Sequence, residues 1–561
     1  MTRRNKMNRS LKTRMLLLIC LMLFCFVPAT CAQEQYKKQN RDAISQIVDG
    51  KYDAAIKHFE DYLSKHPKDL ESLYGLAVAY AQKGNIEKAL GYVRQAVNIG
   101  LPFGRFLAGP RDLLKPLTDS AEFKALAKKH TVELLHGPLL GCVTDTSAKF
   151  WVRTSNEALV QVFVSTSEKM DLPIKSVIAR TAKTSVAFLV RDGVAIKCVI
   201  AKTNRAKDFT AVVAVQGLKP DTCYYYKLQV DGSAEPRLWS FRTFPVSGTK
   251  SRFWIGFGGG AGFTPQHERM WDTIATHNLP AFLLLGDNVY IDNPTRQAVQ
   301  QYCYYRRQSR LEFRDFIAST AIYAIWDDHD FTTNDAGGGP EIRKPAWKIP
   351  VWHTFTNNWN NPYYAGGENQ PGCWFDFSIG DVDFFMLDGR YYRTKSRAEN
   401  PSMLGDVQKK WLFKKLKSSK AAFKVLASPV PWSYGAKPGS RDPWQGYKAE
   451  REEIFSFLEA SKIDGVILIS ADRHRSDIWK IDRPNGYPLY EFESSKLTNI
   501  HTHKVMPGAL FGYNKKCSFG LLRFDTAIPD PQVTYKIINI DNEVIYTFSL
   551  NRSQLTHKKA K

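Results

Sequence analysis

Four short segments hold the residue types best able to do chemistry: GDNVYID at 286–292, WDDHD at 326–330, LDGRYYR at 387–393 and ADRHRSD at 471–477. Each follows an apolar run that reads as a β-strand, at 281–285, 321–326, 384–387 and 465–469. In an open α/β sheet ligands bind beyond the carboxyl ends of the strands, so the four loops are expected to converge. Taken singly each is ordinary. An Asp after a strand is often a turn or a helix cap, and a lone His or an Asp pair is more often solvated than catalytic. WDDHD resists that explanation, because three like charges within five residues cost free energy unless something cationic compensates. The same mixture of acid and His recurs at 471–477, which makes one shared metal and phosphate site the better reading.

Those residue types suit phosphate-ester hydrolysis. The reaction needs an attacking hydroxide at moderate pH, screening of the anion and help for the leaving oxygen. Two metal ions roughly 3.5–4 Å apart supply all three when carboxylates bridge them and neutral His or Asn completes the coordination. An oxygen-rich donor set favours Ca, Mn, Mg or Fe over a thiolate zinc site. Arg390 offers a planar fork suited to phosphate oxygens.

The elements that position these loops form a catalytic domain over 250–550. Short strands at 253–257, 281–285, 321–326, 384–387, 423–427 and 465–469 alternate with helical patterns at 267–277, 405–417 and 449–462, the signature of α/β layering. Later strands near 519–524, 532–538 and 544–549 are expected to complete the last sheet. Before it, 135–245 changes to a period of two and reads as a β-sandwich, with Tyr224, Tyr226, Leu228 and Val230 on one face. Residues 218–228 resemble the late corner and strand of a fibronectin-type sandwich. Earlier still, Gly50, Tyr52, Ala55, Ile56, Phe59 and Leu63 recur 34 residues on as Gly84, Ile86, Ala89, Leu90, Val93 and Val97. That register resembles a tetratricopeptide pair over 41–100, within a helical segment at 33–130. Such repeats suit a protein partner. The segment carries no cluster of acids and histidines, so it is expected to be dispensable for chemistry.

The 561 residues are 43% hydrophobic and 13% aromatic, which excludes global disorder and allows several large cores. The net charge is +23, and six of those positive charges precede residue 15. The remaining +17 attracts anions without choosing among phosphate esters, nucleic acid and anionic lipid. Residues 1–32 read as a secretory signal: a basic start, the apolar run 15–27, then Thr30 and Ala32 before a mature start near Gln33. Lipidation at Cys31 is the weaker alternative. No other run approaches the roughly 18 apolar residues that span a bilayer, so an exported, soluble protein, periplasmic or extracellular, is expected. Six cysteines remain after the leader, and their spacing selects no pairing. Residues 551–561 form a short basic tail.

In order and content the four motifs resemble the successive signatures of alkaline phosphatase D-type enzymes, within the calcineurin-like metallophosphoesterases. The stretch GPLLGCVTDTSAKFWVRT at 137–154 resembles the N-terminal domain usual in that family, and the helical repeats are an addition to its plan. The resemblance implies a four-layer α/β catalytic domain with two metal ions. It makes Asp287 the bridging carboxylate and Tyr290 a phenolate that helps bind iron. Asp328 takes the asparagine place of the superfamily's GNH motif, and His329 the histidine that contacts phosphate or assists the leaving group. Asp472 and His474 correspond to the two ligands of an altered GHxH signature. Arg390 stands at the family's LDxR motif, where a phosphate contact is inferred, and Asn334 is a further ligand or a loop cap.

One departure stands out. Chains of this type usually place a metal-binding Cys after the first strand, whereas here that strand ends in GFGGGAGF at 256–263. Nor is there a His between 423 and 435. The expected function is an exported metal-dependent hydrolase of phosphate mono- or diesters. A nuclease would suit the charge, but no aromatic-and-basic nucleic-acid motif supports it. The alternative from another class is a non-catalytic phosphate- or anion-binding adaptor with a degenerate phosphoesterase domain, favoured by the triple glycine and opposed by the intact Asp287, His329 and Asp472.

Overall fold

The structure, a computed structural model, describes residues 40–130, 132–170, 186–191 and 194–558. The leader at 1–32 and the end of the basic tail lie outside the described residues. No helix among the described residues is long and apolar enough to cross a membrane. The six described cysteines are all free thiols.

Two mixed sheets packed face to face build the domain that carries the motifs. The first has the order Ala321–Ile325, Ala281–Leu285, Arg252–Gly258, Ser518–Asp525, Gln532–Asn539, Val544–Asn551. The second runs Phe375–Ile379, Val382–Met386, Phe423–Ala427, Val466–Ser470, Leu489–Ser494, Ser476–Ile481, Phe511–Tyr513. Aromatic rings lock the two together, Phe492 stacking on Tyr535 and both Phe384 and Phe423 packing on Phe524. Helices cover the outer faces: Trp271 and Phe316 on the first sheet, Trp411 on the second. Strands covered on both sides must be apolar at every position, and Ala281–Leu285, Ala321–Ile325, Phe423–Ala427 and Val466–Ser470 are buried throughout.

The three C-terminal strands do not complete the last sheet as expected. Ser518–Asp525 pairs antiparallel with Arg252–Gly258 in the first sheet. Without it Arg252–Gly258 would be a buried edge with unpaired backbone groups, a costly arrangement.

Residues 134–242 form two further antiparallel sheets facing each other, with Phe150 of one against Tyr226 and Phe241 of the other. The Tyr224 hydroxyl accepts a bond from the Lys219 amide at 2.8 Å, pinning the turn before its strand. This sandwich docks on the catalytic domain through buried polar contacts. Arg153 donates to Gln308 and Asn358, and the Tyr226 hydroxyl donates to the Ala318 carbonyl at 2.6 Å.

The N-terminal segment is helical over 40–48, Tyr52–Lys65, Leu70–Gln82 and Ile86–Ile99. Gly50 and Gly84, one repeat apart, both turn the chain in the left-handed region, at φ +74° and +84°. At Gly75 a Cβ would fall 2.2 Å from the Phe59 ring, so only glycine lets the two helices close. Leu70–Gln82 is buried from Glu71 to Ala81, more than a helix hairpin alone requires. Its outer side lies against the catalytic domain. There Tyr74 stacks on Tyr302, the Tyr302 hydroxyl donates to Glu71 at 2.8 Å, and Arg105 sits over the Tyr74 ring. The repeats therefore dock within their own chain.

Glu71 faces a fully buried Arg105, 3.6 Å away. Glu71→Ala leaves that guanidinium buried without its charge partner, at a cost on the order of 3 kcal/mol or more. Melting temperature should fall in the order wild type, Glu71→Gln, Glu71→Ala; an unchanged melting temperature in Glu71→Ala would contradict the docking described.

Candidate metal centre

The four loops do meet. Asp287, Asp328, Asp472 and His474 come from the ends of three different strands, and the turns that carry them are forced. Asp287, Tyr290, Asp472 and His474 have φ of +55°, +55°, +70° and +49°, the left-handed region that non-glycine residues seldom enter. Asp330 holds the first turn in place, accepting the amides of Asn288 at 2.9 Å and Val289 at 3.0 Å. The Ile291 amide then donates to the His329 carbonyl at 2.7 Å, fastening the GDNVYID turn to the WDDHD loop.

A cavity of about 540 Å³ opens above these turns, lined by Asp287, His329, Asn334, Asp472 and His474 among others. Ligand atoms of Asp287, Asp328 and His329 lie within 4.8 Å of one another. Oδ1 of Asp287, Oδ1 of Asp328 and Oδ2 of Asp472 are buried with no hydrogen-bond partner. The nearest cations to the last two stand off: Arg390 is 3.7 Å from Asp328, and Lys437 and Arg473 are each 3.6 Å from Asp472. Two carboxylates at such a separation repel by about 3 kcal/mol at an effective dielectric near 20, more than the roughly 1 kcal/mol of a typical hydrogen bond. The donor set is hard oxygen with imidazole at its edge, which fits Ca, Mn, Mg or Fe and does not fit a thiolate zinc site.

The electrostatics follow from that crowding. Burial pushes the Asp287 carboxyl well above its usual range, and Asp328, Asp330 and Asp472 add to the shift against the pull of His329. Burial likewise opposes ionisation of Asp328, but Arg390 and His329 outweigh it and hold the carboxyl below its usual value. For His329 burial alone would lower the pKa, yet Asp287, Asp328 and the bond from Nδ1 to Asp292 raise it to about 10. Its ring also stacks on Tyr290, with centroids 4.7 Å apart. The Tyr290 hydroxyl lies 2.9 Å from His474 Nε2 and accepts from Asn499 at 2.6 Å. Burial and the Asp287 charge hold that phenol well above its ordinary pKa, so a nearby cation would be needed to make it a phenolate.

Arg390 departs from expectation. It is fully buried beneath the site, with Nε on Asp327 and Nη1 on Asp442 at 2.7 Å, so its fork is committed to carboxylates and does not face the cavity. It compensates WDDHD from below. Asn334 is exposed on the cavity rim. Sequence reasoning missed Asn499, His501 and His503, whose segment follows the unanticipated strand Leu489–Ser494, and His474 forms a second close group with the two histidines. It also gave Asp292 no role, although Asp292 orients His329, and no role to Arg41 of the helical segment, which lines the cavity.

The glycines at 258–260 can now be told apart. Built Cβ atoms would strike Leu497 from Gly258 and Ala471 from Gly259, whereas from Gly260 the atom would lie 3.1 Å from the His474 ring. Gly260 is thus the position nearest the centre. Its φ of +66°, and the Ser495 hydroxyl 2.8 Å from the built Cβ, leave a side chain there strained.

Comparison with known proteins agrees with this geometry. Residues 255–515 match the family model of PhoD-like phosphatases, 131–246 match a domain of unknown function, and 43–103 match a tetratricopeptide repeat. Alkaline phosphatase D of Bacillus subtilis (strain 168) is 24% identical over 340 residues, covering 51% of this chain; the chain spans only 56% of that relative. A solved structure of PhoD superposes over 75% of this chain and 91% of its own, with a TM-score of 0.60 at 17% identity. The purple acid phosphatase PPD1 of yellow lupin does so over 75% of each chain, with a TM-score of 0.50 at 12% identity. Residues 255–515 are therefore a PhoD-like phosphatase domain, and a tetratricopeptide segment precedes it in the chain.

Proposed function

We propose that the protein is a metal-dependent phosphoesterase that hydrolyses phosphate mono- or diesters. The observation that carries this reading is the set of buried carboxylate oxygens on Asp287, Asp328 and Asp472 that have no hydrogen-bond partner, with Asp287 and Asp472 lining one cavity and Asp328 within 4.8 Å of Asp287. Asp287, Asp328, Tyr290, Asp472 and His474 would hold the ions, with Asn334 joining them from the rim. Bound there, the ions would screen the phosphate charge and bring the pKa of an attacking water near neutrality. The chain's own residues do the rest. Asp292 holds His329 by Nδ1, leaving Nε2 for the substrate, and its charge favours the protonated ring. It can therefore donate to a phosphate oxygen or to the departing oxygen. Arg390 holds Asp327 in place and keeps the Asp328 carboxyl below its usual pKa.

One observation favours the anion-binding adaptor: the glycines at 258–260, where the family resemblance implies a metal-binding Cys. It predicts anion binding without turnover. The leader at 1–32 supports export, which would be seen as a mature N-terminus near Gln33 in the periplasmic or extracellular fraction.

His329→Ala should lower kcat on p-nitrophenyl phosphate by about 100- to 10,000-fold with metal content unchanged. Full turnover at equal metal loading would remove His329 from the mechanism. Mn²⁺ or Ca²⁺ should raise the melting temperature of the chelator-treated wild type, and much less that of Asp287→Asn or Asp328→Asn. Equal shifts in all three would locate the ions elsewhere. Gly260→Cys should not simply restore a ligand. Left-handed backbone costs an L-residue about 1–2 kcal/mol, so a lower melting temperature is expected whatever happens to iron content; higher stability without added metal would contradict the crowding at Ser495 and His474.

A further inference from the structure

The first repeat helix, over 40–48, reaches the centre of the catalytic domain. Arg41 is 9% exposed, and its Nη1 donates to the Tyr290 carbonyl at 3.0 Å and to Oδ2 of Asp292. The other oxygen of Asp292 takes Nδ1 of His329. Arg41 also lines the cavity that holds Asp287 and Asp472. Further along the helix, Arg296 donates to Asp49 at 2.7 Å and to Ser45, so the loop that follows GDNVYID is gripped from both ends.

These contacts divide into two kinds. Glu71, Arg105, Tyr302, Arg296 and Asp49 lie away from the cavity and only dock the segment. Arg41 alone of these points inward, where one guanidinium nitrogen joins the left-handed turn at Tyr290 to the carboxylate that orients His329. We propose that the helical segment is a working part of the site: Arg41 is a positioning residue that acts through Asp292 to hold His329 and through the Tyr290 carbonyl to hold the metal-bearing turn. The tetratricopeptide segment is then required for chemistry, contrary to what its lack of an acid-and-histidine cluster at strand ends suggests. The proposal rests on the phosphoesterase reading only in its kinetic consequence.

The test uses the full-length chain at matched metal content. Arg41→Ala should lower kcat on p-nitrophenyl phosphate about 10- to 100-fold, the usual loss when a partner of a site residue is removed, with KM changed little. Arg41→Lys should recover only part, because one ammonium cannot reproduce the fork. Asp292→Asn should cost a similar factor, and the double variant no more than the worse single one, since the two act in series. Arg296→Ala, which loosens docking alone, should lower melting temperature while leaving kcat within about twofold. Free ethylguanidinium should restore part of the activity of Arg41→Ala and none of any loss in Arg296→Ala. Unchanged kcat in Arg41→Ala, multiplying losses in the double variant, or an equal kcat loss in Arg296→Ala would overturn the proposal. If Arg41→Ala does not fold, Arg41→Lys carries the same comparison. Should the metal-loaded wild type hydrolyse neither a monoester nor a diester, the proposed function fails on its own. The placement of Arg41 is then decided by hydrogen exchange: faster exchange at the amides of 287–292 in Arg41→Ala but not in Arg296→Ala supports it, and unchanged exchange there overturns it.

Discussion

Everything at the centre of this protein answers to one constraint, the mutual repulsion of carboxylates buried at the ends of strands. Asp287, Asp327, Asp328 and Asp330 lie within two adjoining loops and are all nearly inaccessible. Left alone they would protonate or pull the loops apart. Each has a different answer. Asp330 is held by backbone amides, and Asp327 by Arg390. Asp328 is held by the Asp335 amide and more distantly by Arg390. Asp287 keeps one oxygen with no such partner, and that residue stands where the loops cross. Buried carboxylate oxygens that keep no partner beside a cavity, as on Asp287 and Asp472, are organised for a cation.

The second network, Arg390 with Asp442, Arg393 and Lys437, makes sense in the same terms. Asp442 accepts from Arg390, Arg393 and Lys437. Lys437 in turn lies 3.0 Å from Asp335 and 3.6 Å from Asp472, so one lattice of alternating charge runs from beneath the loops up to the cavity that these three residues line. A buried ion pair adds little stability on balance, but breaking one partner is expensive. Such a lattice fixes geometry more than it lowers free energy. That is why Arg390, which in sequence looks like a phosphate fork, lies under the floor of the site.

Much of this was legible in the sequence, and the limits have physical causes. The strand runs, the change of period at the sandwich and the 34-residue register were readable because each is a local pattern of burial. The motif residues were readable because acids after apolar strands are conspicuous. Whether a given acid faces the cavity or the scaffold was not, since Asp327, Asp328 and Asp330 differ only by one or two residues of turn, and the partner that decides lies 40 or more residues away in Arg390 or in the Asn288 amide. Asn499 and His501 were hidden because the strand before them, LYEFES, has no clear period. The C-terminal strands were assigned to the wrong sheet because pairing across the domain leaves no mark in local sequence.

Arg41 illustrates the deepest of these limits. Nothing about an arginine on an amphipathic repeat helix distinguishes a solvated charge from one aimed into a distant site. Its meaning comes from docking, and docking is legible only in retrospect: Leu70–Gln82 is apolar on too many sides for a two-repeat hairpin, so a second surface had to cover it. That surface is the helix Gln297–Gln308, which directly follows the loop carrying Asp287, Tyr290 and Asp292. Covering the repeats with this helix necessarily brings the first repeat helix over that loop. The burial that stabilises the helical segment and the placement of Arg41 beside Asp292 are therefore consequences of the same packing.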